Sequence, residues 1–181
     1  MERRLTFCLI FIVNLLSAQI SKSHNLEDIG RLNLGPHGLE LSYELPLSKE
    51  IVWENNLGIG MGYEASVGSV SYAFYLDSPT PFIKSQMKWL YNRNKRLSKG
   101  KKSHSNSGNL IGLQSKYSFG NSDLFDNNRA LLTEVHWGLQ RSLGQRFIFD
   151  LHLGLGFVSD FDFSESVFTP TFGLRFGYRI F

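Results

Sequence analysis

From Asp28 to its last residue, the sequence repeatedly alternates apolar and polar side chains. In Phe168–Phe181, the residues Phe168, Pro170, Phe172, Leu174, Phe176, Tyr178 and Ile180 alternate with Thr169, Thr171, Gly173, Arg175, Gly177 and Arg179. Successive side chains of a strand point to opposite faces, so the spacing predicts a strand. The same period predicts strands over Asp28–Leu34, Leu39–Leu47, Ile51–Glu64, Phe82–Arg93, Asn109–Phe119, Ala130–Gln140 and Arg146–Phe157. Most of these eight segments are longer than the ~5–6 residues usual in soluble sheets. They match the ~9–11 residues of a strand that crosses a bilayer. No later stretch is apolar for 18 residues without interruption, so no transmembrane helix is predicted.

Volume decides which face points where. The interior of an eight-stranded barrel is just wide enough to be filled by side chains. The apolar faces carry Trp53, Trp89, Trp137, Phe147, Phe149, Phe172, Phe176 and Tyr178 with many Leu and Ile, too much to fit inside. They are therefore expected to face out, and contiguous apolar patches of that size are rare in water. Lipid is the consistent solvent, and a closed barrel satisfies every backbone group there. The mean hydropathy of −0.15 is then an average over two unlike faces. The predicted architecture is all-β: an eight-stranded antiparallel up-and-down transmembrane β-barrel. Gly35–Gly38 reads as a turn between the first two strands; short turns at Pro46–Glu50 and Leu143–Gln145 and longer loops at Ala65–Thr80, Gly120–Asn128 and Ser159–Ser166 fit periplasmic and outer sides respectively. On that topology Trp53, Trp89, Tyr91, Trp137, Phe147 and Tyr178 form one aromatic girdle. Tyr63, Phe119, Phe157 and Phe168 form the other.

The start of the chain has a different character. Arg3 and Arg4, an apolar run over Leu5–Leu16 and small residues at Ser17-Ala18 predict a secretory signal peptide at 1–18, with the barrel domain at 19–181. The single cysteine, Cys8, falls in the export segment, which excludes a disulfide framework and a Cys-based zinc site in the barrel. A net charge of +3 from 19 basic and 16 acidic residues is too small and mixed for a nucleic-acid binder.

The export segment, the alternating strands and the ending Gly173-Leu174-Arg175-Phe176-Gly177-Tyr178-Arg179-Ile180-Phe181 resemble the small outer-membrane β-barrels of Gram-negative bacteria, the OmpA/OmpX-like class. More closely, the chain resembles uncharacterised exported barrels sharing a segment that here reads Lys99-Gly100-Lys101, Asn106-Ser107-Gly108-Asn109, Gly112-Leu113 and Lys116-Tyr117. The resemblance implies the cell outer membrane as location, with lipid and lipopolysaccharide as surroundings. It also implies recognition of the terminal Phe181 by the barrel-assembly machinery. Arg179 stands where the class usually has an aromatic.

The inward faces carry six acids, Glu40, Glu44, Glu54, Glu64, Glu134 and Asp150, and six bases, Arg31, Lys84, Lys88, Lys116, Arg175 and Arg179. An unpaired buried charge costs several kcal/mol, so a paired network plugging the lumen is predicted, with Arg175 and Arg179 reaching Glu40 and Glu44. A turn at Leu143–Gln145 would set His136 opposite His152, with Glu134 and Asp150 beside them. Two His and two carboxylates are candidate metal ligands or an acid–base pair. The favoured reading is a hydrogen-bonded lumen with no metal and no cofactor. The basic segment Arg93–His104 reads as a solvated, mobile turn. Outward positions hold no His and no acid, which argues against a serine esterase acting on lipid. The expectation is a monomeric, non-enzymatic barrel with a structural or surface-interaction role. A lipid-modifying enzyme or a small-solute pore is the alternative.

Overall fold

The computed structural model describes residues 26–66, 69–73, 79–121 and 127–181, and the side chains of 26–61, 79–120 and 128–181. The predicted export segment lies outside them. In chain order the strands are β1 (Ile29–Gly35), β2 (Gly38–Pro46), β3 (Ile51–Gly60), β4 (Gly62–Ser66), β5 (Ser69–Ala73), β6 (Thr80–Trp89), β7 (Gly108–Asn121), β8 (Asn127–Leu143), β9 (Phe147–Asp160) and β10 (Ser166–Arg179). Each of the eight longer strands pairs antiparallel with its neighbour, β3 with β6 among them. The ring closes where Arg31–Leu34 of β1 meets Phe176–Arg179 of β10. The barrel is therefore all-β, antiparallel and eight-stranded.

Side chains alternate across the wall as the period-two pattern requires. On β2, Leu39, Leu41 and Tyr43 are exposed while Glu40, Ser42 and Glu44 are buried. The same inversion of a soluble core runs around the ring. Inward glycines make room for larger inward neighbours. A Cβ on Gly112 would lie 2.2 Å from His136 Nε2, and one on Gly173 would lie 2.0 Å from His152 Cε1.

Two predicted loops are shorter than expected. The β7–β8 ladder runs on to Asn121 and Asn127. The β9–β10 loop shrinks because Asp160 Oδ1 accepts from the N–H groups of Asp162 and Phe163 at 2.8 and 3.0 Å, closing an Asx turn. The predicted strand Ile51–Glu64 breaks at Met61, whose N–H donates to His37 O at 3.0 Å. Beyond the break, β4 starts within the predicted strand and pairs as a hairpin with β5, which lies inside the predicted loop Ala65–Thr80. It stands at the end of the barrel away from the termini, where β4 meets β8 at Tyr63↔Asn128 and β5 reaches β10.

The basic segment is the larger correction. Arg93–Ser98 forms a helix, α1, and His104–Asn106 a 3-10 turn. Ser105, Asn106 and Ser107 are buried in the barrel mouth at the end that holds the termini. Asn106 Nδ2 donates to Glu44 Oε2 and to Glu27 O, both at 2.8 Å, and Gln140 Nε2 donates to Ser105 O at 2.9 Å. Ser105 and Asn106 both sit at φ 52°, a left-handed pair that bends the chain into the mouth. Lys99, Lys101 and Lys102 stay exposed as predicted, but the Asn106-Ser107 part of the motif is a plug.

Gly112→Ala tests the packing of the inward face. Overpacking against the His136 ring is expected to lower the unfolding free energy by about 1–3 kcal/mol in a urea titration in detergent micelles.

Candidate functional site

Around the ring, the acid-bearing pairs β2–β3 and β8–β9 alternate with the base-bearing pairs β6–β7 and β10–β1. Closure brings them together at mid-height. Arg31 Nη2 lies 3.0 Å from both Glu44 Oε1 and Glu54 Oε2, and its Nη1 lies 2.7 Å from Asp150 Oδ2. Arg175 donates from Nη1 to Glu40 Oε1 at 2.5 Å, from Nη2 to Glu54 Oε2 at 2.9 Å and from Nε to Asp150 Oδ2 at 2.8 Å. Lys84 Nζ reaches Glu40 Oε2 at 2.6 Å, and Lys88 Nζ reaches Glu44 Oε1 at 2.7 Å and also contacts Glu54. All eight groups are buried. Four cations thus meet four carboxylates, each carboxylate touched by at least two cationic or amide donors.

The predicted partner of Arg179 differs. Arg175 reaches Glu40, but Arg179 pairs with Glu27 at the mouth, and Arg31 takes the place beside Glu44. Arg179 stands opposite Arg31 in the seam register, at the rim, where Glu27 is nearest. The Glu64 side chain lies outside the described ones.

The histidine cluster assembles in altered form. The β8–β9 turn is Gly144–Arg146, with Gly144 at φ +79° and Leu143 facing Phe147. This shifts the register by two from the predicted one. His136 therefore faces Gly154 and Gly138 faces His152. A shift of two keeps every side chain on its face, so the rings still meet, stacked with centroids 4.4 Å apart. Glu134 Oε1 lies 2.9 Å from His136 Nδ1 and 3.2 Å from His152 Nε2, and accepts from Gln114 Nε2 at 3.0 Å. Asp150 does not join them; two arginines hold it. Glu134, His136 and His152 bring their ligand atoms within 4.8 Å of one another. Both rings thus crowd the near carboxylate oxygen of Glu134, with the Gln114 amide beside them.

Apolar layers inside the lumen were not expected. Ile29, Val52, Leu90, Leu110 and Ile148 are buried toward the terminal end, with Leu26 against Val52 and Leu90. Phe82, Ala130, Leu132 and Val158 are buried toward the other end. The charged belt lies between them. The signal was legible: Leu132 and Ile148 interrupt otherwise polar inward rows. Lys116 stands in the far compartment, its Nζ 4.2 Å from the Phe82 ring centroid.

A second, smaller set of charges ties the plug. Glu27 contacts Arg179 and lies 3.1 Å from His104 Nδ1, and the Ser105 N–H donates to it at 3.3 Å. Burial pushes the Glu27 carboxyl up, but Arg179, His104 and the Ser105 N–H outweigh it and leave it below the usual carboxylate range.

Comparison with family models, curated proteins and solved structures gives no match.

Two outcomes follow from these contacts. Glu54→Ala strands Arg31, Lys88 and Arg175 around a missing charge, and should cost about 3–5 kcal/mol in urea unfolding. The Glu27 contribution has the acid sign. Its folded pKa is depressed, so it is fully present above the ordinary carboxylate range and lost as pH falls through the lowered value. Amide exchange at Ser105, corrected for its intrinsic pH dependence, should accelerate over that acid window in the native chain and be pH-insensitive there in Glu27→Gln.

Proposed function

We propose that the chain is an integral outer-membrane β-barrel with a sealed lumen and a structural or surface-interaction role. The observation that carries this reading is the inverted wall. Leucine, isoleucine and aromatic side chains stand exposed around the ring, while Arg31, Glu40, Glu44, Glu54 and Lys88 are buried inside it. Water would not tolerate that outer surface, and lipid would. No helix among the described residues is long and apolar enough to cross a membrane, which says nothing of strands.

The polar tips of the aromatics support the same placement. Near the terminal end, the Trp137 and Trp53 indole N–H groups donate to Tyr91 OH and Ser85 Oγ at 2.9 Å, and Arg146 Nη1 donates to Tyr178 OH at 2.7 Å. Amphipathic rings with satisfied polar ends suit a membrane–water interface. In this reading the terminal end is periplasmic and the basic residues of the α1 segment lie beside anionic headgroups, each contributing ~1 kcal/mol.

The lumen supports closure, not conduction. The charged belt is paired, two apolar layers bracket it, and the Ser105–Ser107 plug fills the periplasmic mouth. The outer loops are left to carry contacts. At the β9–β10 tip, Phe161 and Phe163 are exposed beside an Arg129–Asp162 pair at 2.6 Å. Membership in the OmpA/OmpX-like class, assembly through Phe181 and a monomeric state belong to the same proposal. No enzymatic activity is assigned.

The refolded protein in a planar bilayer should show no steady openings. It should also fractionate with outer membranes and migrate faster on gels before heating than after. Recovery in the soluble periplasmic fraction would overturn the membrane reading, and steady single-channel currents would overturn the sealed lumen.

A further inference from the structure

Among the described residues, the barrel wall is incomplete on one side. β10 pairs with β9 along its whole length, from Ser166 to Tyr178. On its other edge β1 covers only Phe176–Arg179. The β1–β2 hairpin turns early, at Gly35–Gly38, and a Cβ on Gly35 would lie 2.2 Å from Leu174 O. Above that turn, the stretch of β10 up to Leu174 has no ladder partner on this edge among the described residues. The opposite side of the gap is Met61, tied to His37 O across the top of the turn. β5 reaches β10 beyond it. The result is a notch bounded by β10, the Pro36-His37 turn, Met61 and the β4–β5 hairpin.

The sequence is adapted to an open edge here. The Arg179 N–H turns to Arg146 on the β9 side, and the Ile180 N–H turns to Gly30 on the β1 side. Even-numbered residues of β10 therefore aim their backbone groups toward β1 and, higher up, into the notch. Pro170 is one of them. Proline has no N–H and is found on strand edges that lack a partner, so one otherwise unpaired donor is removed at the gap.

The notch leads into a cavity of about 300 Å³ in the far half of the lumen. Its rim is apolar, formed by Pro36, Met61, Pro170, Phe172 and Leu174. Its floor mixes the apolar Phe82 and Leu132 with Lys84, Lys116, Gln114, Glu134, His152 and Thr171. Thr171 Oγ1 and Gln114 Oε1 are buried there without a hydrogen-bond partner. Outside, the flanks are apolar: Phe168 and Phe172 on β10, Leu57 and Ile59 on β3. A chamber holding Lys116, whose Nζ lies 3.5 Å from Met61 O, and Lys84, paired with Glu40, thus opens sideways through an apolar slot.

We propose that this notch admits one single-chain anionic amphiphile, its carboxylate in the chamber toward Lys116, Lys84 and Thr171, its alkyl chain passing out between Pro170 and Met61 along the Phe172 wall. The proposal rests on the membrane reading, since only lipid around the barrel presents such a molecule at that height. A hydroxyl donor and two ammoniums suit a carboxylate, and an exposed apolar rim suits the chain leaving it.

Two photoreactive C16 fatty acids test it, one with a diazirine beside the carboxylate and one with it at the chain end. Each is added to the refolded full barrel in phosphatidylcholine vesicles and mapped by mass spectrometry. The first should label Gln114, Leu132 or Thr171, the second Pro170 or Phe172, and excess palmitate should abolish both. Lys116→Gln should reduce labelling by the carboxylate probe at least tenfold, while a C16 alcohol of the same design labels the chamber weakly in both proteins. Heat-modifiable gel mobility verifies that the variant is folded, and Thr171→Val serves as a second, milder variant with a smaller loss. Labels confined to the general outer wall, such as Leu153 and Phe176, overturn the notch proposal and leave the membrane reading standing. Absence of label even at those wall residues overturns the membrane reading itself. Equal chamber labelling by acid and alcohol overturns the anionic specificity.

Discussion

Glu54 sits with no exposure between Arg31, Lys88 and Arg175, and the rest of the barrel is arranged around such matches. Charges taken out of water are tolerated only where geometry supplies counter-charge on every side. A closed ring of eight strands is what provides that here. Arg175 on β10 reaches Glu40 and Glu54, and Arg31 on β1 reaches Asp150 on β9, only because β10 returns to β1. With the charges occupying the interior, the bulky apolar groups have nowhere to go but outward. The inverted wall and the paired belt are thus one constraint seen from two sides.

The division of the lumen follows from the same constraint. Apolar layers at Val52 and Leu90 on one side and at Phe82 and Leu132 on the other shield the belt from both mouths. Shielding lowers the local dielectric and strengthens each ion pair. Asp150, two residues from His152 on β9, serves Arg31 and Arg175 and not the histidines.

The period-two pattern made most of the barrel legible, because a strand's face assignment survives errors in its ends. All eight barrel strands and the inward side of ten buried charges could be read that way. What could not be read depended on exact partners. The β8–β9 register hinged on which three residues form the turn, and Gly144 at positive φ decides it. The break at Met61 depends on a backbone hydrogen bond to His37, which lies 24 positions earlier and leaves no local signal. The plug was hidden because Ser105, Asn106 and Ser107 look like loop residues. Their burial comes from Glu44, Gln140 and Glu27, which lie far away in sequence.

That plug has a consequence for how the ring holds together. The residues just before β1 and at the end of β10 are the two sides of a short seam, and both are gripped by the same turn. Glu27 bonds to Asn106 and Ser105, and Arg179 lies against Ser105 and His104. Parting the seam and withdrawing the turn are therefore one cooperative event, not two. The 3-10 turn works as a clasp on a bracelet, fastened from inside by a segment that belongs to neither end. A single chain cut among the exposed residues Lys99–Lys102 would leave every barrel strand intact and still loosen the ring where its first and last strands meet.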